Sequence, residues 1–396
     1  MPSAPVGSPT ESRQATHGGP LSGLLVADLS RVLAGPFSTQ ILADFGATVI
    51  KVESPDGDET RHWTPPERDG VSTYYLGVNR NKQSLVLDFR RDEDRALAQE
   101  LTRRADVVVE NFRPGSLAKF GLDYASVRDV NPSTVYASIS GFGSAEGARL
   151  PGYDLVVQAA SGLMSLTGDA DGEPFRSGVS VFDVMTGMQA TVGILLALRH
   201  RDATGQGQHV EVNLLSTALS AMANHTTAYV AGDTVPFRMG NGHPSLFPYE
   251  PLPTADGQII VVAANDQQFA RLTDALGVPE LQQDPRFATS DGRNRLRREL
   301  RPLLVAALAT RSTEDWFRIL TDAQVACGPI NDIAGGVALA DRLGLEPVIE
   351  VGPENLPLIR NAITLSETPA TYRSAPPELG ADSESLVTWL QTPEAS

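Results

Sequence analysis

The chain of 396 residues carries 48 acidic and 32 basic side chains, a formal net charge of −16. That length suits two domains, or one large domain with an insertion. The charge argues against non-specific binding to nucleic acid or to an anionic membrane surface. Cys327 is the only cysteine, so the chain can form neither an internal disulfide nor a thiolate zinc site, and a cytoplasmic location is expected.

Residues 1–20 are rich in proline, glycine, serine and threonine. Lacking an apolar core segment, they read as a disordered tail rather than a signal peptide. No later apolar run is expected to span a bilayer. From Leu24 short apolar runs alternate with helical periods. Strands are predicted at 24–29, 47–52, 84–87, 106–110 and 135–140, with helices between them. Pro36 opens the first helix, where its missing N–H costs nothing, and Gly46 ends it in the left-handed conformation. A long helix is predicted over 184–201, then a strand over 209–214 and a helix to Val230. This alternation points to an α/β fold with a Rossmann-like parallel sheet covered on both faces. After Gly232 the character changes. Residues 240–248 are loop-like, 257–263 form a strand, and helices follow at 267–276, 293–309 and 313–323. Ser312 with Asp315 resembles a capping box. Residues 232–325 are thus expected to form a smaller α/β domain inserted in a larger one of residues 21–225 and 326–396.

Five places suit chemistry. The turn from Arg31 to Pro36 puts amide groups and a helix N-terminus at the carboxyl end of the sheet, where a pyrophosphate fits. It reads equally as a tight turn that starts a helix. No G-x-G-x-x-G accompanies it, which speaks against an NAD-dependent oxidoreductase. Lys51, Arg80, Lys82, Arg113 and Lys119 lie at predicted strand ends or just beyond them, and together suggest a phosphate-bearing ligand. Tyr153 and Asp154 form either a buried hydrogen-bonded pair or a site. Asp183, before the long helix, is either an N-cap or a nucleophile kept ionised by the helix N-terminus, with slim Thr186 and Gly187 leaving room for a substrate. Gly240, Gly242 and His243 sit in a loop able to close over a reacting centre, with His243 as an exposed residue or a base. No histidine spacing suits a metal.

An ordered set of segments carries a resemblance. It comprises Ala34-Gly-Pro36, Val49-Ile-Lys-Val-Glu53, Asn79-Arg-Asn-Lys82, Glu110-Asn-Phe-Arg-Pro-Gly115, Ser138-Ile-Ser-Gly-Phe-Gly143, Gly152-Tyr-Asp154, the Asp183 segment and Thr254-Ala-Asp-Gly257. Over about residues 20–390 the chain resembles the class III coenzyme A transferases, the family of formyl-CoA transferase and carnitine CoA-transferase. The resemblance implies transfer of coenzyme A between carboxylic acids through an anhydride and a thioester on Asp183, with Asp154 and Tyr153 beside it. It implies coenzyme contacts from Arg31, Val32, Ala34, Lys82, Asn111, Phe112, Arg113 and Lys119, and an interlocked homodimer. Coenzyme A enters only as part of the substrates, and no tightly bound cofactor is implied. Ser54 and Leu33 depart from the pattern near the adenine and the reacting acid. In related racemases a histidine base replaces Tyr153, which disfavours the alternative of a 2-methylacyl-CoA racemase, since tyrosine is a poor base at neutral pH. The retained Asp183 disfavours a non-catalytic coenzyme-binding protein. Thr73-Tyr-Tyr-Leu76, Asn213-Leu-Leu-Ser216 and Gly328-Pro-Ile-Asn331 look closest to the succinyl-CoA–glutarate branch, which implies a dicarboxylic acceptor and succinyl-CoA as a candidate donor.

Overall fold

A computed structural model describes residues 18–393. The tail expected at 1–20 lies outside them, apart from its last three residues. In chain order the elements to residue 234 are β1 (Leu25–Asp28), α1 (Ala34–Asp44), β2 (Thr48–Glu53), a small hairpin of β3 (Glu67–Arg68) and β4 (Val71–Ser72), α2 (Thr73–Val78), β5 (Lys82–Val86), α3 (Asp92–Arg104), β6 (Val107–Glu110), α4 (Tyr124–Val130), β7 (Val135–Ser140), α5 (Asp154–Ala160), α6 (Leu163–Leu166), α7 (Val181–Thr204), β8 (His209–Asn213), α8 (Leu214–Ala221) and α9 (Ala223–Val230).

Six of these strands form one sheet in the order β5-β2-β1-β6-β7-β8, and every neighbouring pair is parallel. Parallel strands buried on both faces read as unbroken apolar runs. Val107, Val108 and Val109 of β6 are such a run, each fully buried. Leu42 of α1, Ile194 of α7 and Ala218 of α8 pack on one face. Leu101 of α3 and Val127 of α4 pack on the other, joined by Leu386 from near the C-terminus. The chain first builds outward from β1 to β2 and β5, then returns to place β6 on the other side of β1. The strand order therefore reverses between β1 and β6, and ligands bind outside the carboxyl ends of strands at such a reversal.

Contacts divide the chain into a larger unit (to Leu163, Ser177–Thr234 and from Glu346) and a smaller one (Met164–Arg176 and Val235–Leu345). The smaller unit holds an antiparallel sheet of β9 (Tyr249–Pro253), β10 (Gln258–Val262) and β11 (Ala326–Pro329). The smaller unit runs on past the expected 325 to Leu345 and also takes Met164–Arg176; β11 belongs to its sheet, paired with β10 with Ile259 opposite Pro329. Phe269, Leu304 and Trp316 fill that unit's core. Ser312 caps its helix as expected, accepting from the Asp315 N–H at 3.1 Å.

Helix α7 begins at Val181, one turn earlier than the apolar period suggests. It is also the one described helix long and apolar enough to cross a membrane, where none was expected. Phe182, Ala190, Ile194 and Ala197 on it are buried in the larger unit's core, as in a core helix. Gly187 does not open room for a substrate. A Cβ there would lie 2.6 Å from the Ala34 carbonyl oxygen, so this glycine lets α7 cross close over the start of α1. Gly187→Ala should cost about 1–3 kcal/mol by overpacking, read as a lower urea midpoint with unchanged slope.

Candidate active site

The β1–α1 turn is held by its neighbours. The Arg31 N–H donates to Asn111 Oδ1 at 2.9 Å, and Asn111 Nδ2 donates back to the Arg31 carbonyl at 2.7 Å. Asn111 follows β6, so this two-way clamp joins the two strands that flank the reversal in strand order. The Arg31 guanidinium lies over the Phe112 ring at 5.1 Å. Its pair with Glu59 at 3.5 Å is half exposed and contributes little. The Phe112 N–H donates to Glu110 at 2.8 Å. Arg31 and Arg113 are exposed, while Leu33 and Ala34 are buried at the start of α1.

A second set comes from α5 and α7. Gly152 packs back to back against Gly141, where a Cβ on either would meet the other's Cα, so two motifs distant in sequence meet through bare backbone. The chain then enters α5 at Asp154, which is 5% exposed. Asp154 Oδ1 accepts the N–H groups of Phe182 at 2.7 Å and Asp183 at 3.1 Å. Its Oδ2 accepts from Gln158 Nε2 at 2.5 Å. Gln158 Oε1 in turn accepts from the Ser177 N–H at 2.8 Å.

Asp154 therefore caps α7 from another helix, and Asp183 is not the cap. Asp183 sits inside the first turn of α7. The amides that would stabilise its charge are already taken. Burial first, and then the charge of Asp154, push its carboxyl up to about 7. This corrects the expectation that the helix terminus keeps Asp183 ionised. A desolvated carboxyl that is half ionised at neutral pH suits a nucleophile or a proton carrier.

Arg31, Ala34, Asn111, Phe112, Arg113, Tyr153 and Asp183 all line one cleft of about 390 Å³. A second groove of about 340 Å³ shares Arg31 and Phe112 and is lined also by Ser54 and Phe120. Tyr153 is 59% exposed at the cleft wall. Val32 lies in the clamped turn. Lys119 is exposed on a short turn, its ammonium 4.7 Å from the Phe120 ring.

Three other expected cations do not reach a surface. Lys82 is enclosed by Asp28 at 3.1 Å, the Pro36 carbonyl at 2.9 Å and Asn79 at 3.0 Å. Strand β5 starts at Lys82, two residues earlier than predicted, which places the residue within the buried sheet. Lys51 is sealed against Asp58 at 2.8 Å, and Arg80 against Asp44 at 2.6 Å. In the smaller unit, Gly240 has φ 59°, and its N–H donates to the Gly168 carbonyl at 3.2 Å. Arg297 donates to the His243 carbonyl at 2.9 Å, and His243 Nδ1 accepts from the Ser245 N–H at 3.0 Å.

Tyr74 is a neighbour of Asp183 that the sequence reading did not single out. Its half-buried hydroxyl lies near enough to Asp183 to feel that residue's charge. Burial, then the charge of Asp183, push it up to about 12, so it stays protonated at neutral pH. The paired tyrosines after Ser72 were legible as a likeness, but no spacing rule connects them to residue 183.

The family described as CoA-transferase family III matches residues 21–383. The chain is 41% identical to the succinate–glutarate CoA-transferase of Agrobacterium fabrum, over 95% of this chain and 96% of that one. It is 37% identical to the acetyl-CoA:oxalate CoA-transferase of Acetobacter aceti, over 98% of this chain and 100% of that one. Among solved structures, a CaiB/BaiF family protein from Brucella suis is 39% identical, with a TM-score of 0.84, over 94% of this chain and 100% of that one.

The raised Asp183 carboxyl also bears on stability. Its folded value of about 7 stands above the ordinary 3.8, so between those values the native state holds a proton that the unfolded chain has lost. Stability from this group therefore falls as pH rises through that window, with the full cost present above about pH 7. Asp183→Asn removes the titration. Its melting temperature should gain on the wild type at pH 8 and not at pH 4; equal differences at both values would contradict the assignment.

Proposed function

The chain belongs to CoA-transferase family III, and from that premise we propose that it moves coenzyme A from an acyl-CoA donor to a free dicarboxylate through Asp183. One observation carries the reading. Asp183 is the half-ionised carboxyl on a cleft whose rim carries Arg31 and Arg113. The dicarboxylate follows the succinate–glutarate relative.

The steps balance without an added reagent. The Asp183 carboxylate attacks the thioester carbonyl of the donor, and the coenzyme thiolate leaves, forming a mixed anhydride. The thiolate then attacks the aspartyl carbonyl, which releases the donor acid and leaves an aspartyl-CoA thioester. The acceptor carboxylate attacks that carbonyl in turn, expelling the thiolate and forming a second anhydride. Attack of the thiolate on the acceptor carbonyl gives the new acyl-CoA and restores Asp183. Asp154 holds the helix start at a fixed distance and keeps its amides occupied, so the attacking oxygen is poorly solvated and reactive. Arg31, Asn111, Phe112 and Arg113 hold the coenzyme, with its nucleotide end toward the groove at Ser54 and Lys119 beyond. Arginine suits phosphate through charge-assisted bonds.

The active form is a homodimer of two cytoplasmic chains, each with the smaller unit as an insertion. Met188, Val192, Leu195 and Leu196 make an exposed apolar stripe along α7. A second copy covers such a face, since contiguous apolar surface marks contact sites.

The mechanism is tested by trapping. Enzyme incubated with succinyl-CoA and quenched with borohydride or hydroxylamine should carry the modification on the Asp183 peptide. Asp183→Asn should lower kcat on the order of 10³-fold or more, whereas Asp154→Ala should slow turnover yet still be labelled. Label on the Asp154 peptide would overturn the assignment. The rate kcat/KM should rise through a midpoint of about pH 7 as Asp183 ionises. Among acceptors, dicarboxylates of four to six carbons should outcompete formate and monocarboxylates of equal length in initial-rate assays. Preference for a monocarboxylate would refute the substrate class and leave the transferase chemistry standing.

A further inference from the structure

The β1–α1 turn is held in a conformation its sequence disfavours. Val32 has φ 69°. A β-branched residue enters this left-handed region only under constraint. The Val32 N–H donates to the Asp58 carboxylate at 3.2 Å. Asp58 is itself fixed. It is 1% exposed and accepts from Lys51 Nζ at 2.8 Å and from the Thr60 N–H at 3.0 Å. The Thr60 hydroxyl donates to it at 2.8 Å, and its own N–H donates to Glu53 at 3.0 Å. Neutralising Lys51 requires none of the contact with Val32. That contact instead carries the rigidity of the buried pair outward to the residue beside Arg31.

We propose that Asp58 is a positioning residue for the acyl-CoA cleft, its carboxylate holding the Val32 peptide in the left-handed form and so fixing Arg31 and the adjoining backbone toward the ligand. The inference rests on the reading of the cleft as the acyl-CoA site. With the carboxylate removed, Val32 relaxes to negative φ and Arg31 loses its direction, while the bonds that hold Asp183 and the start of α7 come from Asp154 and stay in place. The loss therefore falls on substrate binding rather than on the chemical step.

The test is initial-rate kinetics with succinyl-CoA on the full chain, with circular dichroism and melting curves confirming that each variant is folded. Asp58→Asn should raise KM for the acyl-CoA about ten-fold, with kcat within about two-fold. Adding Val32→Gly to Asp58→Asn should recover about half of that loss or more on a logarithmic scale, because glycine takes positive φ without a bond to hold it. Val32→Pro leaves the Lys51–Asp58 pair intact but fixes φ near −65° and removes the N–H. It should reproduce the KM rise even if Asp58→Asn fails to fold. A wild-type KM in folded Asp58→Asn or in Val32→Pro, or no recovery in the double variant, would overturn the proposal and leave the transferase reading intact. A wild-type protein that neither binds nor turns over any acyl-CoA would overturn both.

Discussion

Two ion pairs buried under the carboxyl edge of the sheet hold the rest of the larger unit in register. Lys82 meets Asp28, and Lys51 meets Asp58, with none of the four side chains exposed. Burial alone pushes Asp28 up, but Lys82 and Lys51, with the hydroxyls of Ser30 and Thr39, hold it below the ordinary carboxylate range. Burial likewise opposes the charge on Lys51, and Asp58 with Asp28 overcomes it. Such pairs are weak sources of net stability, yet removing one partner costs about 3–5 kcal/mol because a buried charge is left alone. Their value lies in geometry. They connect the end of β1, the body of β2 and the start of β5 to the start of α1 and to the Asp58 loop, and the cleft is built on that platform.

Asp154 and Asp183 show how position divides one chemistry into two roles. Asp154 takes the free amides at the start of α7 and Asp183 is left without them. One carboxylate is satisfied and structural. The other is desolvated, sits beside a like charge, and is held near half ionisation at neutral pH. Neither role belongs to the residue type. The order of the two helices in space decides it, and Gly141 against Gly152 sets that order by letting the strand-end loop and the entry to α5 touch.

Much of this was legible in the sequence. Apolar runs located the strands of the parallel sheet within a few residues, and ordered motifs pointed to Asp183, Asp154 and the Arg31 turn. Charges at strand ends misled for a physical reason. A lysine next to a strand looks the same in sequence whether it faces a ligand or a buried carboxylate. Lys82 became internal because β5 starts two residues early and Asp28 lies across from it, a relation of residues 54 positions apart. Asp183 looked like a cap because the true cap comes from a helix 29 residues upstream. Tyr74 stayed hidden for the same reason. What periodicity supplies is local, and what it omits is the partner.

The edge strand β5 is closed in an unusual way. Its free amides are met by side chains rather than by another strand. Ser84 donates its N–H to Asp382 at 2.9 Å, and Val86 donates to the Ser383 hydroxyl at 3.0 Å. A helix at Ser383–Gln391 then packs beside them, with Leu386 and Trp389 on the sheet face. An open edge is a template for pairing with other chains. The cover for this one is made 298 residues after the strand it protects. At ordinary synthesis rates of about 5–20 residues per second, β5 waits on the order of 15–60 s as a bare edge on the ribosome. Over that interval the edge stays open to pairing with other chains, and any truncation before Asp382 makes the exposure permanent.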